Sequence, residues 1–275
     1  MSDRMLVTGA SGYLGGVLSG RAATRGWSVT GTCFASPTGP DLVRLDVRDR
    51  AATRELIRRL HPDVVVHTAA AIGDWATIAD GSAHVALAAQ EVGARLVHVS
   101  SDALFPGSPD PYDETAAPEP VHPYGAAKAA AETAVRAIAP RAAVVRTSLI
   151  LGDGRSPQEA LVRGLLDGSR DGVLFSDEVR CPVHVHDLVD ALLELAAGDY
   201  PGILNVAGTQ AVNRHQLGVL LARREGRDPA VLRAGTHAEL GVVRPADVRL
   251  SVGRAQALLR TPLRAVADFL TPAGT

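Results

Sequence analysis

Lysine is almost absent from the sequence. Lys128 is the single lysine among 28 lysine and arginine residues, so arginine fills every other such position. Cysteine is also scarce: Cys33 and Cys181 lie far apart and form no CxxC pair. Isolated thiols are typical of a reducing compartment, because secreted proteins tend to carry paired cysteines at disulfide spacings. We therefore expect a cytoplasmic protein.

The chain has neither an excess of one charge nor a long apolar run. Its net charge is −2 and its pI about 6.5, which leaves no basic footprint for nucleic acid. The stretch "MSDRMLVTGASG" has an apolar run too short for a signal peptide or a membrane span. We therefore expect no nucleic-acid and no membrane partner. With 275 residues, 46% of them hydrophobic, the chain can bury a large α/β core.

Short apolar runs alternate with helix-forming segments along the first half of the chain. The predicted strands are "RMLVT", "WSVTGTCF", "LVRLDV", "DVVVHTAA", "ARLVHVSS" and "AAVVRTSLI". The uninterrupted apolar character of "DVVVHTAA" is typical of a strand buried on both faces. Strands that alternate with helices predict an α/β fold with a doubly wound parallel sheet.

A glycine-rich turn follows the first predicted strand. Gly9, Gly12 and Gly15 have the spacing G-x-x-G-x-x-G, after a strand and at the start of a helix. Glycines there let the backbone approach a pyrophosphate, which the helix N-terminus stabilises through its N–H groups. A glycine-rich turn without a ligand is the alternative. The strand and helix context favours nucleotide binding on a Rossmann sheet.

The βα rhythm weakens after about Leu151, and this change predicts the domain organisation. Residues 1–152 are expected to form a dinucleotide-binding Rossmann domain, with a later contribution from about 183–207. Residues 153–275 are expected to form a smaller, mainly helical substrate-binding lobe, because helices and proline-containing loops dominate there.

The end of the second predicted strand bears on which dinucleotide is bound. NAD sites usually place an acidic residue there to hold the ribose 2′-hydroxyl. Here "GTCFASP" holds no acid, and also no arginine, while Thr32 and Ser36 could donate hydrogen bonds to a 2′-phosphate. This favours NADP(H) over NAD(H). Asp46 and Val47 either border the adenine or end the third strand in an ordinary turn.

Tyr124 and Lys128 are spaced i and i+4 on a predicted helix, and so lie on the same face. An ammonium near a phenol favours the phenolate, which makes the tyrosine a usable proton donor to a carbonyl. YxxxK also occurs by chance, but here it contains the only lysine. A hydroxyl from Ser100 or Ser101, at the end of the fifth strand, could orient the carbonyl beside Tyr124.

These motifs together resemble the extended short-chain dehydrogenase/reductases. TGxxGxxG, a serine ending the fifth strand and YxxxK are typical of that superfamily. Within it, "VHVSSDALFPG", "VVRTSLILG", "VRCPVHVHDLVDAL" and "GILNVAGTQAVNRHQLG" resemble the sugar-nucleotide reductase branch of dTDP-4-dehydrorhamnose reductase. The resemblance extends from Met5 to about Leu250.

The resemblance implies an NAD(P)H-dependent reductase of a keto group on a nucleotide-linked deoxysugar. Tyr124 matches the family's proton donor, Lys128 its partner and Ser101 the hydroxyl that completes the triad. Positions that match cofactor contacts of the family are Gly9, Ser11, Gly12, Tyr13, Leu14, Asp46, Val47, Thr68, Ala69 and Ala70. Gly15 of the glycine turn and Thr32 of the second strand, with Tyr124 and Lys128, complete the candidate cofactor-binding residues. Candidate substrate residues are Asp102, Arg146 and Arg180; the two arginines could grip a diphosphate or form ordinary salt bridges.

Three positions depart from the family pattern. Ile78 replaces an asparagine, Ala103 a tyrosine and Leu149 a tryptophan. These losses leave open a different ketone, or a non-catalytic cofactor-binding regulatory subunit of the same fold. A sugar-nucleotide epimerase is a further alternative. The resemblance also allows a homodimer.

No metal is expected in this chain. In "HVHD", His184, His186 and Asp187 could share one site, but nothing nearby adds the further ligands that a structural or catalytic metal needs.

Overall fold

A seven-stranded sheet forms the centre of the fold. The structure, a computed structural model, describes residues 3–35 and 42–271. The strands of this sheet are β1 (Arg4–Thr8), β2 (Ser28–Cys33), β3 (Leu42–Arg44), β4 (Val64–His67), β5 (Arg95–Val99), β6 (Ala143–Arg146) and β11 (Gly202–Asn205). The strand order is β3-β2-β1-β4-β5-β6-β11, and the pairings from β1 to β6 are parallel. The predicted doubly wound α/β sheet is confirmed.

Helices connect the strands of this sheet, as the alternating pattern predicts. They are α1 (Tyr13–Thr24), α2 (Arg50–Leu60), α3 (Gly81–Glu91), α4 (Pro123–Ile138) and α6 (Val185–Ala197), with a π-helical turn at Ala76–Asp80 before α3. Asp49 caps α2 by accepting a hydrogen bond from the Ala52 amide at 2.9 Å. Arg21 on α1 forms an ion pair with Asp190 on α6.

The core on one face of the sheet lies beneath α2, α3 and α4. Leu6, Val65, Leu96 and Val144 come from four neighbouring strands and pack with apolar side chains of these helices. Side chains two residues further along each strand point to the same face. Polar residues at those next positions, including His67 and His98, are therefore held in the same layer, close to the carboxyl edge of the sheet.

The chain divides into two compact units. The first contains residues 1–101, 123–146 and 189–204, and the second contains residues 102–122, 147–188 and 205–275. The predicted division at residue 152 is simpler, because segment 102–122 joins the second unit although it precedes α4. In the described residues, no helix is long and apolar enough to cross a membrane.

The second unit is built from helices and very short strands. Its helices are α5 (Pro157–Leu166), α7 (Arg214–Arg224), α8 (His237–Leu240), α9 (Gly253–Leu258) and α10 (Val266–Phe269). Two-residue strands join distant segments in pairs: β7 (Ile150–Leu151) with β10 (Val183–His184), β8 (Leu174–Phe175) with β13 (Ala234–Gly235), and β9 (Val179–Arg180) with β12 (Val212–Asn213). Short 3₁₀ turns lie at Asp102–Leu104 and Pro229–Val231.

Candidate active site

The glycine-rich turn lies where the strand order reverses, between β1 and β4. Gly9 has φ +75°, and a Cβ there would lie 2.7 Å from the Ala69 Cα. A Cβ on Gly15 would lie 2.3 Å from the Gly9 carbonyl oxygen. Glycine is therefore required at both positions by close backbone approach. Ligands of open α/β sheets bind at such a reversal, outside the carboxyl ends of the strands.

A cleft opens at this edge of the sheet, within the first unit. Nine predicted cofactor residues line it: Gly9, Ser11, Gly12, Thr32, Asp46, Val47, Thr68, Ala69 and Ala70. Tyr13, Leu14, Gly15, Tyr124 and Lys128 are not among its lining residues. Ser36 lies outside the described residues. Gly12, which lines the cleft, is the N-cap of α1 and has no side chain to cap the first N–H groups of the helix.

Arg48 is a lining residue of the cleft that the sequence reasoning missed. Its guanidinium carbon lies 5.0 Å from the centre of the Phe34 ring, at the end of β2. It also pairs with Asp46 at 2.7 Å and with Asp74 at 3.3 Å. The hydrogen bond from Arg48 lowers the pKa of Asp46 below its ordinary value. The end of β2 thus acquires an arginine from the turn after β3, which lies outside the stretch "GTCFASP".

Lys128 is held at the carboxyl edge of β5. It is the sixth residue of α4, is 5% exposed, and its Nζ donates a hydrogen bond to the Val99 carbonyl oxygen at 3.0 Å. Burial lowers the pKa of Lys128 to about 8, against an opposing effect of the Glu132 carboxylate. Lys128 is therefore mostly an ammonium at neutral pH, which is about one pH unit below its pKa.

Tyr124 precedes Lys128 by about one helical turn. It is the second residue of α4 and is half-buried. The helix runs antiparallel to the strands it connects, so its first turn lies at the carboxyl edge of the sheet. Ser101, also half-buried, lies two residues beyond the end of β5 at the same edge. The predicted triad thus belongs to one unit and to one edge of the sheet.

A chain of hydrogen bonds lies in the buried layer next to Lys128. Thr8 and His67 are register neighbours, and the Thr8 Oγ1 lies 2.6 Å from the His67 Nδ1. On the other side of the ring, Nε2 lies 3.0 Å from the Ser82 Oγ, which donates to the Ile78 carbonyl oxygen at 2.5 Å. Because the Ser82 hydroxyl donates its hydrogen bond to Ile78, it can only accept one from His67. We therefore assign the Nε2–H tautomer to His67 and the accepting role to Nδ1.

The same layer keeps both of its histidines neutral. His67 stacks on His98 with ring centroids 5.3 Å apart. Burial, with a smaller contribution from the charge of Lys128, lowers the pKa of His67 to about 3, and burial also holds the pKa of His98 well below its ordinary value. Neither ring nitrogen of His98 has a hydrogen-bond partner among the described residues. Lys128 is therefore the cation of this layer that faces the histidines.

The three candidate substrate residues are all buried. Arg146 is 1% exposed and forms two-pronged hydrogen bonds with Glu132. Arg180 donates to backbone carbonyls of Val179, Pro245 and Ala246. Asp102 accepts a hydrogen bond from Ser148 at 2.6 Å. This placement does not agree with the diphosphate grip suggested for Arg146, because its guanidinium is enclosed and already bound to a carboxylate.

The departures from the family pattern also have defined positions. Ile78 is 1% exposed and lies in the π-helical turn before α3, with its carbonyl oxygen occupied by Ser82. Ala103 lies in the 3₁₀ turn after Ser101, and Leu149 follows β6; both are half-buried. In the described residues, no group of three or more His, Cys, Asp or Glu side chains could hold a metal ion.

The strand order, the glycine turn and the lone Tyr-x-x-x-Lys pair define a Rossmann-fold dinucleotide-binding protein. A family model described as "RmlD substrate binding domain" matches residues 3–271. The chain belongs to this family.

Relatives in the family have two different descriptions. The chain is 33% identical to a dTDP-4-dehydrorhamnose reductase of Mycobacterium tuberculosis, over 96% of this chain and 90% of the relative. It is also 29% identical to the methionine adenosyltransferase 2 subunit beta of Xenopus laevis, over 96% of this chain and 85% of the relative. An enzyme and a subunit of another enzyme are thus both similar to it.

Solved structures show the same fold over nearly the whole chain. A dTDP-4-dehydrorhamnose reductase of Bacillus anthracis in complex with NADP superposes with a TM-score of 0.85 at 21% identity, over 98% of this chain and 97% of that one. MoeE5 in complex with UDP-glucose and NAD gives a TM-score of 0.82 at 26% identity, over 97% and 96%. Both nicotinamide dinucleotides therefore occur in structures of this kind.

Proposed function

We propose that the protein is an NAD(P)H-dependent reductase of a keto group on a nucleotide-linked deoxysugar, similar to dTDP-4-dehydrorhamnose reductase. The observation that carries this proposal is the buried lone lysine, whose ammonium is fixed at the carboxyl edge of β5 one turn after Tyr124. The 33% identity to the mycobacterial reductase supports the reaction and the substrate class.

Tyr124 is the proton donor in this proposal. Its phenol gives a proton to the alkoxide oxygen as the ketone is reduced. Lys128 is an ammonium at pH 7, because its pKa of about 8 lies above that pH, and its charge stabilises the phenolate left behind. Ser101 donates a hydrogen bond to the substrate carbonyl and holds it toward Tyr124.

The cleft at the glycine turn fits the dinucleotide. The chain approaches so closely at Gly9 and Gly15 that no side chain can fill the turn, and α1 begins there with its N–H groups. Asp46 and Val47 would border the adenine, and Thr68, Ala69 and Ala70 also line the cleft. When bound, the nicotinamide cofactor supplies the hydride.

NADP(H) is the proposed cofactor in preference to NAD(H). The stretch "FASP" directly after β2 contains no carboxylate to repel a 2′-phosphate, and Thr32 lines the cleft. Arg48 adds a guanidinium over Phe34 at the same place. We place the enzyme in the cytoplasm, in keeping with two buried free thiols at Cys33 and Cys181.

The test is nicotinamide oxidation by the purified protein. NADPH and NADH are compared against a panel of nucleotide-linked 4-keto-6-deoxysugars, with Tyr124→Phe as the matched variant. Turnover that disappears in the variant supports the reductase. Tight cofactor binding without turnover on any ketone would contradict it and favour a non-catalytic, cofactor-binding subunit; the methionine adenosyltransferase relatives are named as subunits.

A further inference from the structure

A buried ion pair includes Glu132, the residue one helical turn after the proposed catalytic Lys128 on α4. Glu132 on α4 and Arg146 at the end of β6 are 2% and 1% exposed. The Arg146 Nε lies 3.0 Å from one Glu132 carboxylate oxygen, and a terminal nitrogen lies 2.9 Å from the other. This is a two-pronged geometry that fixes both side chains. It is the most enclosed ion pair that the described residues contain.

The pair continues the row of reactive side chains along α4. Tyr124, Lys128 and Glu132 follow one another at intervals of four residues, so they share one face of the helix. The row therefore runs from phenol to ammonium to carboxylate, and ends at the Arg146 guanidinium. Glu132 acts on Lys128 directly, because its negative charge raises the pKa of Lys128 against the effect of burial.

Few other charges act on Lys128 from the elements packed around it. His67 on β4 and His98 on β5 are held neutral by burial. In the segment before and along α3, Asp80 and Glu91 are exposed, while the His84 ring lies 3.0 Å from the Val47 carbonyl oxygen. Glu132, with Arg146 behind it, is thus the charged neighbour that balances the lysine.

A buried ion pair of this kind is weak evidence for a stabilising role. Desolvation of two charges offsets most of their attraction, and apolar pairs of similar volume often serve stability as well. Removing one partner, however, leaves an uncompensated charge in the layer. The sign of that charge decides whether the pKa of the neighbouring Lys128 is raised or lowered.

We propose that Glu132 and Arg146 are a positioning pair that holds Lys128 charged and aimed at the active edge. Arg146 fixes the Glu132 carboxylate and neutralises part of its charge, so that Lys128 is neither stripped of its proton nor drawn away from the Val99 carbonyl into a salt bridge. The role in turnover rests on the proposed reductase function. The effect on the lysine itself does not.

Opposite responses are expected from the two single variants. In Glu132→Gln, an unpaired Arg146 guanidinium remains near Lys128, so the lysine loses its proton about one pH unit earlier than in the wild type. In Arg146→Met, the unpaired carboxylate keeps the proton on the lysine to a higher pH by a similar amount. The apolar double variant Glu132→Leu/Arg146→Met should fall between the two.

The lone lysine allows a direct measurement. Protein labelled with ¹³Cε-lysine gives one lysine signal, from Lys128, whose titration is followed by NMR in the cofactor-free protein. We expect a wild-type midpoint at about 8, the two single variants on opposite sides of it, and the double variant between them. Glu91→Gln removes an exposed carboxylate paired with Arg54 and should leave the midpoint unchanged.

Activity adds a second readout. The alkaline limb of the pH profile for NADPH oxidation should move with the NMR midpoint in each variant. Identical midpoints in the wild type and all folded variants would overturn the proposal; if Glu132→Gln does not fold, Arg146→Met and the double variant decide. If the midpoints shift as expected but the protein shows no turnover, the effect of the pair on Lys128 is supported and only the proposed reductase function is contradicted.

Discussion

Replacing Lys128 with methionine should stabilise the fold while removing the activity. The lysine is 5% exposed, and burial lowers its pKa from 10.5 to about 8. Its charged form is therefore penalised in the folded state relative to the unfolded state. A shift of 2.5 pH units corresponds to about 3 kcal/mol at pH 7. Loss of the charge-assisted hydrogen bond to the Val99 carbonyl offsets about 2 kcal/mol of this, which leaves a gain of about 1 kcal/mol.

The sign of the pH dependence is fixed by the same shift. Below pH 8 lysine is charged in both states and the folded protein bears the full penalty. Between pH 8 and 10.5 the folded protein releases the proton while the unfolded chain keeps it, so the penalty falls to about 1 kcal/mol or less by pH 10. The advantage of Lys128→Met over the wild type should shrink accordingly.

Denaturant unfolding at pH 7 and pH 10 measures this advantage. Lys128→Arg is the matched control, because a guanidinium keeps its charge at both pH values and should destabilise the protein at both. A methionine variant that is no more stable than the wild type at pH 7 would refute the reasoning. So would a gain that is the same at pH 10.

Three further variants test other parts of the account. Gly9→Ala should lower the free energy of unfolding by at least about 1 kcal/mol and weaken cofactor binding, because φ is +75° and the new Cβ would meet backbone at 2.7 Å; calorimetry and fluorescence titration measure the two effects. Arg48→Ala should raise the Kd for NADPH by about tenfold and change that for NADH little, whereas the exposed Arg44→Ala should affect neither; equal losses for both cofactors would contradict the role of the guanidinium. Ser82→Ala should lower the free energy of unfolding by about 1–3 kcal/mol, because it leaves the buried His67 Nε2 without its hydrogen-bond partner; an unchanged Tm in thermal unfolding would contradict this hydrogen bond.

The sheet could be predicted from the sequence because its signals are local. The run at Val64–Val66 is apolar, and all four residues of β4 are buried, as expected of a central strand. Helix α1 ends at Thr24, and Gly26 just beyond it has φ +88°, the left-handed conformation in which glycine commonly ends a helix. In the second unit, by contrast, two-residue strands pair segments some 30 to 60 residues apart, and such pairings leave no periodic pattern to recognise.

The site was harder to predict where the deciding partner is distant in sequence. Arg146 ends a strand beside the expected site, and a lone arginine there suggests substrate binding. Its partner Glu132 lies on the preceding helix, so only the packing of α4 on β6 shows that the guanidinium is enclosed. Arg48 was missed for a similar reason, since it reaches the end of β2 from another strand's turn. In the sequence, His67 is only the last residue of an apolar strand. Its hydrogen bond with Ser82 becomes visible only in the folded structure.

The proposed reductase depends most directly on the phenol of Tyr124. The deciding measurement is the rate of NADPH and NADH oxidation with nucleotide-linked keto-deoxysugars by the wild type and Tyr124→Phe, beside cofactor binding by both proteins. We predict nearly unchanged cofactor affinity and turnover lower by about two orders of magnitude or more in the variant, because only the general acid is lost. A variant as active as the wild type would remove Tyr124 from the chemistry and contradict the mechanism proposed for this site.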